Sequence, residues 1–209
     1  MNKPIAFRWE ARARRPDVRV VLVQGDAVLA PASLPAVDRQ ALVAWRRAAE
    51  FAGAVGATAW PPGLPAPVLL VGIGKKEEFH AARWRRAWAA AGRALAQAAA
   101  VQRAAFEWPD SAAFPLDPAE LAGLAADGLL AGAYVCDAYK TKKLVHAWTF
   151  EWVGATLAAP PAREAVRRAE IAGAVLRDVR ELANRPANEL GPAELAAHLS
   201  PPRVVWLMV

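Results

Sequence analysis

The most constraining stretch of the chain is Val68-Leu69-Leu70-Val71, an unbroken apolar run followed at once by Gly72-Ile73-Gly74-Lys75-Lys76 and then by a long helical pattern. Consecutive apolar residues without alternation fit a strand buried on both faces, and such a strand needs layers above and below it. The pattern that follows supplies one. Over residues 79–103, Trp84, Trp88, Ala91, Leu95 and Ala98 recur at spacings of three and four, with Arg86, Arg93 and Gln97 opposite. A buried strand feeding directly into an amphipathic helix is the repeating unit of α/β architecture.

The rest of the chain continues the alternation. Residues 5–9 and 18–24 are rich in apolar and β-branched side chains and read as strands, and Gly25-Asp26 turns the second towards 27–29. Residues 34–51 read as a helix whose stripe is Val37, Ala41, Ala44 and Ala48. Gly53, Gly56, Pro61, Pro62, Gly63, Pro65 and Pro67 make a long loop, and residues 104–108 form a strand closed by Pro109-Asp110. Pro118 suits the first position of a helix capped by Asp117. The expected buried stripe of that helix is Leu121, Leu124, Gly128, Gly132, Val135 and Tyr139, and its two glycines one turn apart predict close approach to a neighbouring backbone. Residues 146–153 alternate as a strand, with Trp148, Phe150 and Trp152 on one side. Residues 162–184 give a long helix with the stripe Ile171, Val175, Val179 and Leu182, stopped by Arg185-Pro186. That stripe is expected to extend from the domain, packing on a further domain or a neighbouring subunit. Gly191-Pro192 opens a last short helix, broken by Ser200-Pro201-Pro202. The predicted fold is α/β, a mixed central sheet with helices on both faces followed by a linker helix.

Composition sets bounds on function. Hydrophobic residues at 56% and charged residues at 22% exclude a disordered chain. No apolar run reaches the roughly 18 residues of a membrane span, and Met1-Asn2-Lys3-Pro4 lacks the apolar stretch of a secretory signal. Cys136 is the single cysteine, so no internal disulfide can form, and a cytoplasmic location is expected. The net charge of +6 admits a nucleic-acid partner. The basic residues are dispersed, however: Arg12, Arg14, Arg15 and Arg19, then Arg83, Arg85, Arg86 and Arg93, then Lys140, Lys142 and Lys143. Solvated charged faces explain them more simply.

Candidate chemistry is sparse. Gly72-Ile73-Gly74-Lys75-Lys76 stands where phosphate loops lie, but Glu77 occupies the place of a third glycine and no Ser or Thr follows the lysines. A tight strand-to-helix turn is the expectation. His80, His146 and His198 lack metal-ligand spacing. Cys136 sits among apolar helical positions and reads as a buried structural thiol. Glu77-Glu78 and the pair Asp117 and Glu120 suit helix starts, and the nine tryptophans suit a core better than a base-stacking platform. No catalytic, cofactor-binding or metal-binding residue is assigned.

Two segments carry a family resemblance. The more specific is Asp178-Val179-Arg180-Glu181-Leu182-Ala183-Asn184-Arg185-Pro186-Ala187-Asn188-Glu189-Leu190-Gly191-Pro192-Ala193-Glu194-Leu195-Ala196, in which a helix ends in an Asn-x-Pro-x-Asn stretch and a Gly-Pro step starts the next. The second is Gly132-Ala133-Tyr134-Val135-Cys136-Asp137-Ala138-Tyr139-Lys140-Thr141-Lys142-Lys143, with Cys136 at a place usually held by phenylalanine. Weaker matches are Phe51-Ala52-Gly53 and residues 68–75. Together these resemble the leucyl (cytosol) aminopeptidase family, over about residues 5–199.

The resemblance implies a non-catalytic, macro-domain-like N-terminal domain over residues 1–157, then a linker helix and the start of a catalytic domain over 158–199. It also implies hexamers, and a later catalytic domain that removes N-terminal amino acids from peptides using two divalent metals, zinc or manganese. The family's metal-ligand motifs do not occur in these 209 residues. Residues 200–209 depart from the family pattern and read as an aberrant tail, so a truncated family member without a cofactor of its own is expected. The competing reading is a stand-alone macro-like module binding nucleotides or nucleic acid, which rests on fold analogy.

Overall fold

The computed structural model describes residues 5–10, 16–98, 100–108, 114–136 and 148–186, together with positions 139, 141, 189, 191, 193 and 197. Among these residues seven strands form one sheet: β1 (Ala6–Glu10), β2 (Val18–Gln24), β3 (Ala27–Leu29), β4 (Thr58–Ala59), β5 (Val68–Gly74), β6 (Arg103–Glu107) and β7 (Thr149–Val153). Their order is β1-β7-β6-β2-β5-β4. The pairs β1–β7, β7–β6, β6–β2 and β2–β5 are parallel, while β4 joins β5 antiparallel and β3 folds back on the end of β2. The helices are α1 (Ala36–Ala48), α2 (Ala81–Gln97), α3 (Pro118–Ala133), α4 (Ala155–Ala158) and α5 (Pro160–Ala183). Both faces of the sheet are covered, as the unbroken apolar run of β5 predicts; every residue of that strand is buried.

Side-chain alternation along the strands sorts the core into two layers. Val20, Leu22, Leu69, Val71, Phe106, Phe150 and Trp152 face α2, α3 and α5, while Val21, Val23, Val68 and Leu70 face α1. The larger layer is aromatic. The Trp88 ring lies 4.8 Å from Phe106 and within 6 Å of Trp84, Phe150 and Trp152, mostly edge to face. Offset and edge-to-face contacts of this kind add roughly 0.5–1.5 kcal/mol each beyond area burial.

Helices α2 and α3 touch backbone to backbone. A Cβ at Gly132 would lie 1.8 Å from the Ala89 carbonyl oxygen, one at Gly128 would lie 2.4 Å from that of Arg85, and one at Gly92 would lie 2.3 Å from that of Leu129. The two glycines of α3 therefore act as the sequence predicts. Arg85 on α2 also pairs with Asp127 on α3.

Asp117 caps α3 by accepting from the Ala119 backbone N–H at 2.8 Å, with Pro118 inside the first turn. Asp117→Ala is expected to lower stability by about 1 kcal/mol, a typical N-cap loss. A denaturation curve with an unchanged midpoint would contradict it.

Several expectations need correction. In α1 the buried residue is Leu42, with Trp45 packed beside it, while Val37 is 68% exposed and Ala41, Ala44 and Ala48 face solvent. Alanine contributes so little burial energy that a single leucine and a tryptophan set the helix rotation. Helix α3 ends at Ala133, so Val135 and Tyr139 lie beyond it, and Cys136 is exposed rather than a buried thiol. The glycine- and proline-rich stretch after residue 53 contains the short strand β4. Finally, α5 does not project from the domain. Ala162, Ala165, Val166 and Ala169 complete the core, and the rest of the helix lies along α3, with Gly173 against Leu130. Its outer side leaves Ile171, Val175, Leu176 and Val179 44–60% exposed. The short helix expected after Gly191 lies outside the described residues, apart from positions 191, 193 and 197.

Candidate functional site: a clasp between the ends of α3 and α5

Helices α3 and α5 run parallel, and the longer α5 continues past the end of α3. Ala165 of α5 meets Gly123 of α3 and Gly173 meets Leu130, so the last turns of α5 pass beside the segment that follows α3. There the two motif segments come together although they lie fifty positions apart in sequence. The Asn184 side-chain amide donates to the Tyr134 hydroxyl at 3.2 Å, and the Tyr139 hydroxyl donates to the Glu189 carboxylate at 2.8 Å. Arg180, one turn before the end of α5, donates to the Ala131 carbonyl at 2.9 Å and lies 5.5 Å from the centre of the Tyr134 ring. Burial pushes the Tyr134 phenol above its ordinary value, against the opposing effect of the Asn184 hydrogen bond. Burial also raises the Tyr139 phenol, reinforced by the hydrogen bond to Glu189. Both tyrosines are therefore neutral donors and acceptors at neutral pH. Beneath the clasp lies a cleft of about 10 Å³ lined by Asp127, Leu130, Ala131, Tyr134, Gly173, Leu176, Arg177 and Arg180. That is the volume of about one water, too small for a substrate.

The clasp has the chemistry of a fastener. Its contacts tie the end of α5 and Glu189 to the last turn of α3 and the segment that follows it, and among the described residues it holds no activated nucleophile.

The other sequence candidates lie apart from it and from one another. Gly72 and Gly74 are part of β5 rather than of a turn, and a segment of main chain lies across them. The Gly72 N–H donates to the Ala57 carbonyl at 2.8 Å and the Gly74 N–H to the Gly53 carbonyl at 2.9 Å. A Cβ at Gly72 would sit 2.2 Å from the Ala54 carbonyl oxygen, which is why this strand carries glycine. A phosphate cradle needs free amides, and these two are committed. Lys76, Glu77 and Glu78 form a 3-10 turn before α2, where Arg83 binds Glu78 and holds its carboxyl below the ordinary value by hydrogen bond and charge. His80 is exposed at the start of α2, and His146 and His198 lie outside the described residues. Trp84, Trp88, Trp148 and Trp152 are core.

The basic residues are partly neutralised by their neighbours: Arg19 with Glu107, Arg46 with Asp26, Arg83 with Glu78 and Arg85 with Asp127. No three His, Cys, Asp or Glu residues among those described gather closely enough to hold a metal. The two-metal centre implied by the family resemblance therefore finds no fitting donor set among them. Among the described residues, no helix is long and apolar enough to cross a membrane.

The sequence reading missed Glu151. It sits between Arg8 and Ala105 in register, only 2% exposed, and its Oε2 has no hydrogen-bond partner among the described residues. Its position opposite the inward row of Phe150 and Trp152 reads as a solvent side, and nothing in the local pattern reveals that this side is covered as well.

A mixed, mostly parallel sheet with α1 on one face and α2, α3 and α5 on the other defines an α/β domain. Residues 20–143 match the model of the cytosol aminopeptidase family, N-terminal domain. The chain is 36% identical over 159 residues to a protein of Streptomyces coelicolor named "Probable cytosol aminopeptidase", covering 66% of this chain and 29% of that one. A protein of the same name from Rhizobium etli is 36% identical over 148 residues, covering 66% and 28%. Among solved structures, a mutant of tomato leucine aminopeptidase superposes with a TM-score of 0.76 at 19% identity, over 94% of this chain and 41% of that one. The bottromycin maturation enzyme BotP in complex with Mn gives 0.64 at 25% identity, over 87% and 35%. The chain belongs to the cytosol aminopeptidase family, of which it carries the N-terminal domain. It spans less than a third of the length of the curated relatives it matches.

Proposed function

We propose that this domain positions and helps assemble a metal-dependent aminopeptidase catalytic unit, of the kind that removes N-terminal amino acids from peptides, and takes no direct part in hydrolysis. The observation that carries this reading is the clasp. The two segments most characteristic of the family meet where α5 ends, and the side chains joining them fix direction rather than perform chemistry. The exposed row Ile171, Val175, Leu176 and Val179 supports it, because an apolar strip beside the exit point suits packing against a following domain. The nucleotide-binding alternative is not favoured, since the Gly72 and Gly74 amides are already used by main-chain carbonyls.

The purified 209-residue chain, supplied with manganese or zinc, is expected to show no leucine-amide hydrolysis and no stoichiometric binding of two tightly held metals. Two-metal hydrolysis needs several ligands converging within a few ångströms, held by supporting hydrogen bonds. Turnover that co-purifies with this chain would refute the proposal. The exposed strip should also make the chain self-adhesive, with Val175→Asp reducing high-concentration association measured by light scattering.

A further inference from the structure

The outer side of α5 is ordered in charge as well as apolar. Ile171, Val175 and Val179 form a ridge along it, 54–60% exposed, while Val166 on the opposite side is buried against the domain. One flank of the ridge carries Arg167, Ala174 and Glu181, all exposed and seven positions apart. Seven residues are nearly two full turns, the repeat by which paired helices keep one side facing each other. Charge along this side is sorted by end. Arg167 and Arg168 stand in its N-terminal half and Glu181 in its C-terminal half. None of these three takes part in an ion pair among the described residues, whereas Asp178 lies 3.7 Å from Arg177 and is already engaged.

We propose that a second copy of this chain covers this ridge, the two α5 helices packing antiparallel across a two-fold axis level with Ala174. The register follows from charge and shape together. With the axis there, Arg167 of each copy faces Glu181 of the other, Ile171 faces position 177 and drops between Val175 and Val179 of the other copy, and the two Ala174 methyl groups meet where small side chains let the flanks close. A parallel pair would instead oppose Arg167 to Arg167 and Glu181 to Glu181, and flanking charges of this kind set the orientation of paired helices. An isologous contact requires the self-complementarity that the antiparallel register supplies. The contact runs for about 20 Å of helix, short of the roughly 1,200 Å² at which stable interfaces begin, so the dimer is reversible and depends on concentration. Leu176 stands about 100° further round the helix, beside the cleft at Tyr134, and stays open to a following domain. The pairing rests on the assembly role proposed above for this strip and specifies the partner that its outermost ridge takes.

Sedimentation velocity of the 209-residue chain over a concentration series in reducing buffer, with circular dichroism to verify folding, tests the register. The expected result is a dimer weakened about tenfold by Arg167→Glu and by Glu181→Arg, since each single exchange turns two attractive pairs repulsive. The double exchange should restore it to near the original affinity. A second measurement does not depend on the charged variants folding. With Cys136→Ser to remove the native thiol, Ala174→Cys should link two copies on mild oxidation, and Ala44→Cys on the exposed side of α1 should not. A monomer at every concentration, a double exchange no stronger than the singles, or no link through position 174 would overturn the pairing. A dimer lost with Val175→Asp yet indifferent to both charge reversals would overturn it too, while leaving the strip as an assembly surface. Turnover by the chain would refute the proposed function and leave the pairing standing.

Discussion

Gly132→Ala should destabilise the domain by about 3 kcal/mol or more, at the upper end of overpacking costs, even though alanine is ordinarily the better helix former by about 1 kcal/mol. The two effects have opposite signs, and geometry decides between them. The added methyl would lie 1.8 Å from the Ala89 carbonyl oxygen and 2.8 Å from its Cα, so the obstacle is the backbone of α2 rather than the end of a flexible side chain. Relief requires sliding α3 away from α2, which would open the seam at Gly92 and Gly128 as well. Gly123→Ala is the informative control, because its nearest neighbour is the Ala165 methyl at 3.1 Å and a small shift of α5 accommodates it. Urea denaturation of both variants checks the claim. A Gly132→Ala midpoint equal to or above that of the unmodified chain would sink it.

Trp88→Ala should cost about 4 kcal/mol, the usual range for emptying a large aromatic site. Trp88 is fully buried and packs against Trp84, Phe106, Phe150 and Trp152, so its removal leaves a void walled by rigid rings that cannot collapse into it. Replacement by phenylalanine separates packing from polarity. The Trp88 Nε1 has no hydrogen-bond partner among the described residues, whereas the Trp84 Nε1 donates to the Leu121 carbonyl at 2.8 Å. Trp84→Phe should therefore be more damaging than Trp88→Phe, because it forfeits a buried hydrogen bond as well as volume. The reverse order in thermal or urea denaturation would show that cavity shape, not the indole N–H, governs these positions.

The parts of the fold legible in the sequence are those where side-chain contrast is strong. The spacing of Trp84, Trp88, Ala91 and Leu95 placed the inward face of α2 correctly, and the unbroken Val68 to Val71 run marked a doubly covered strand. The pair Gly128 and Gly132 announced a backbone contact, because glycine a turn apart in a helix has little other use. Alanine gives no such contrast, and the inward face of α1 lies about one position from the stripe that its alanines suggest. Gly72 and Gly74 were ambiguous for a different reason. Glycine after a strand suits a turn, yet here it admits the main chain of residues 53–57, a non-local fact. The clasp was beyond any periodicity, since Tyr134 and Asn184 lie fifty positions apart. Only the resemblance to a family singled out both segments, and it did not say that they touch.

The parallel course of α3 and α5 has an electrostatic consequence. Each helix accumulates roughly half a negative charge at its C-terminal end, and because the two run the same way the pole of α3 lies against the last turns of the longer α5, on the side of the α5 pole. Arg180 stands in the last turn of α5 and reaches across to the Ala131 carbonyl near the end of α3, so one guanidinium serves both poles. Its side chain is solvent-facing, and by exposure alone it would count for little. Placed at a doubled negative terminus, it acts as the counter-ion of the helix pair, and its influence fades as dissolved salt supplies the same screening.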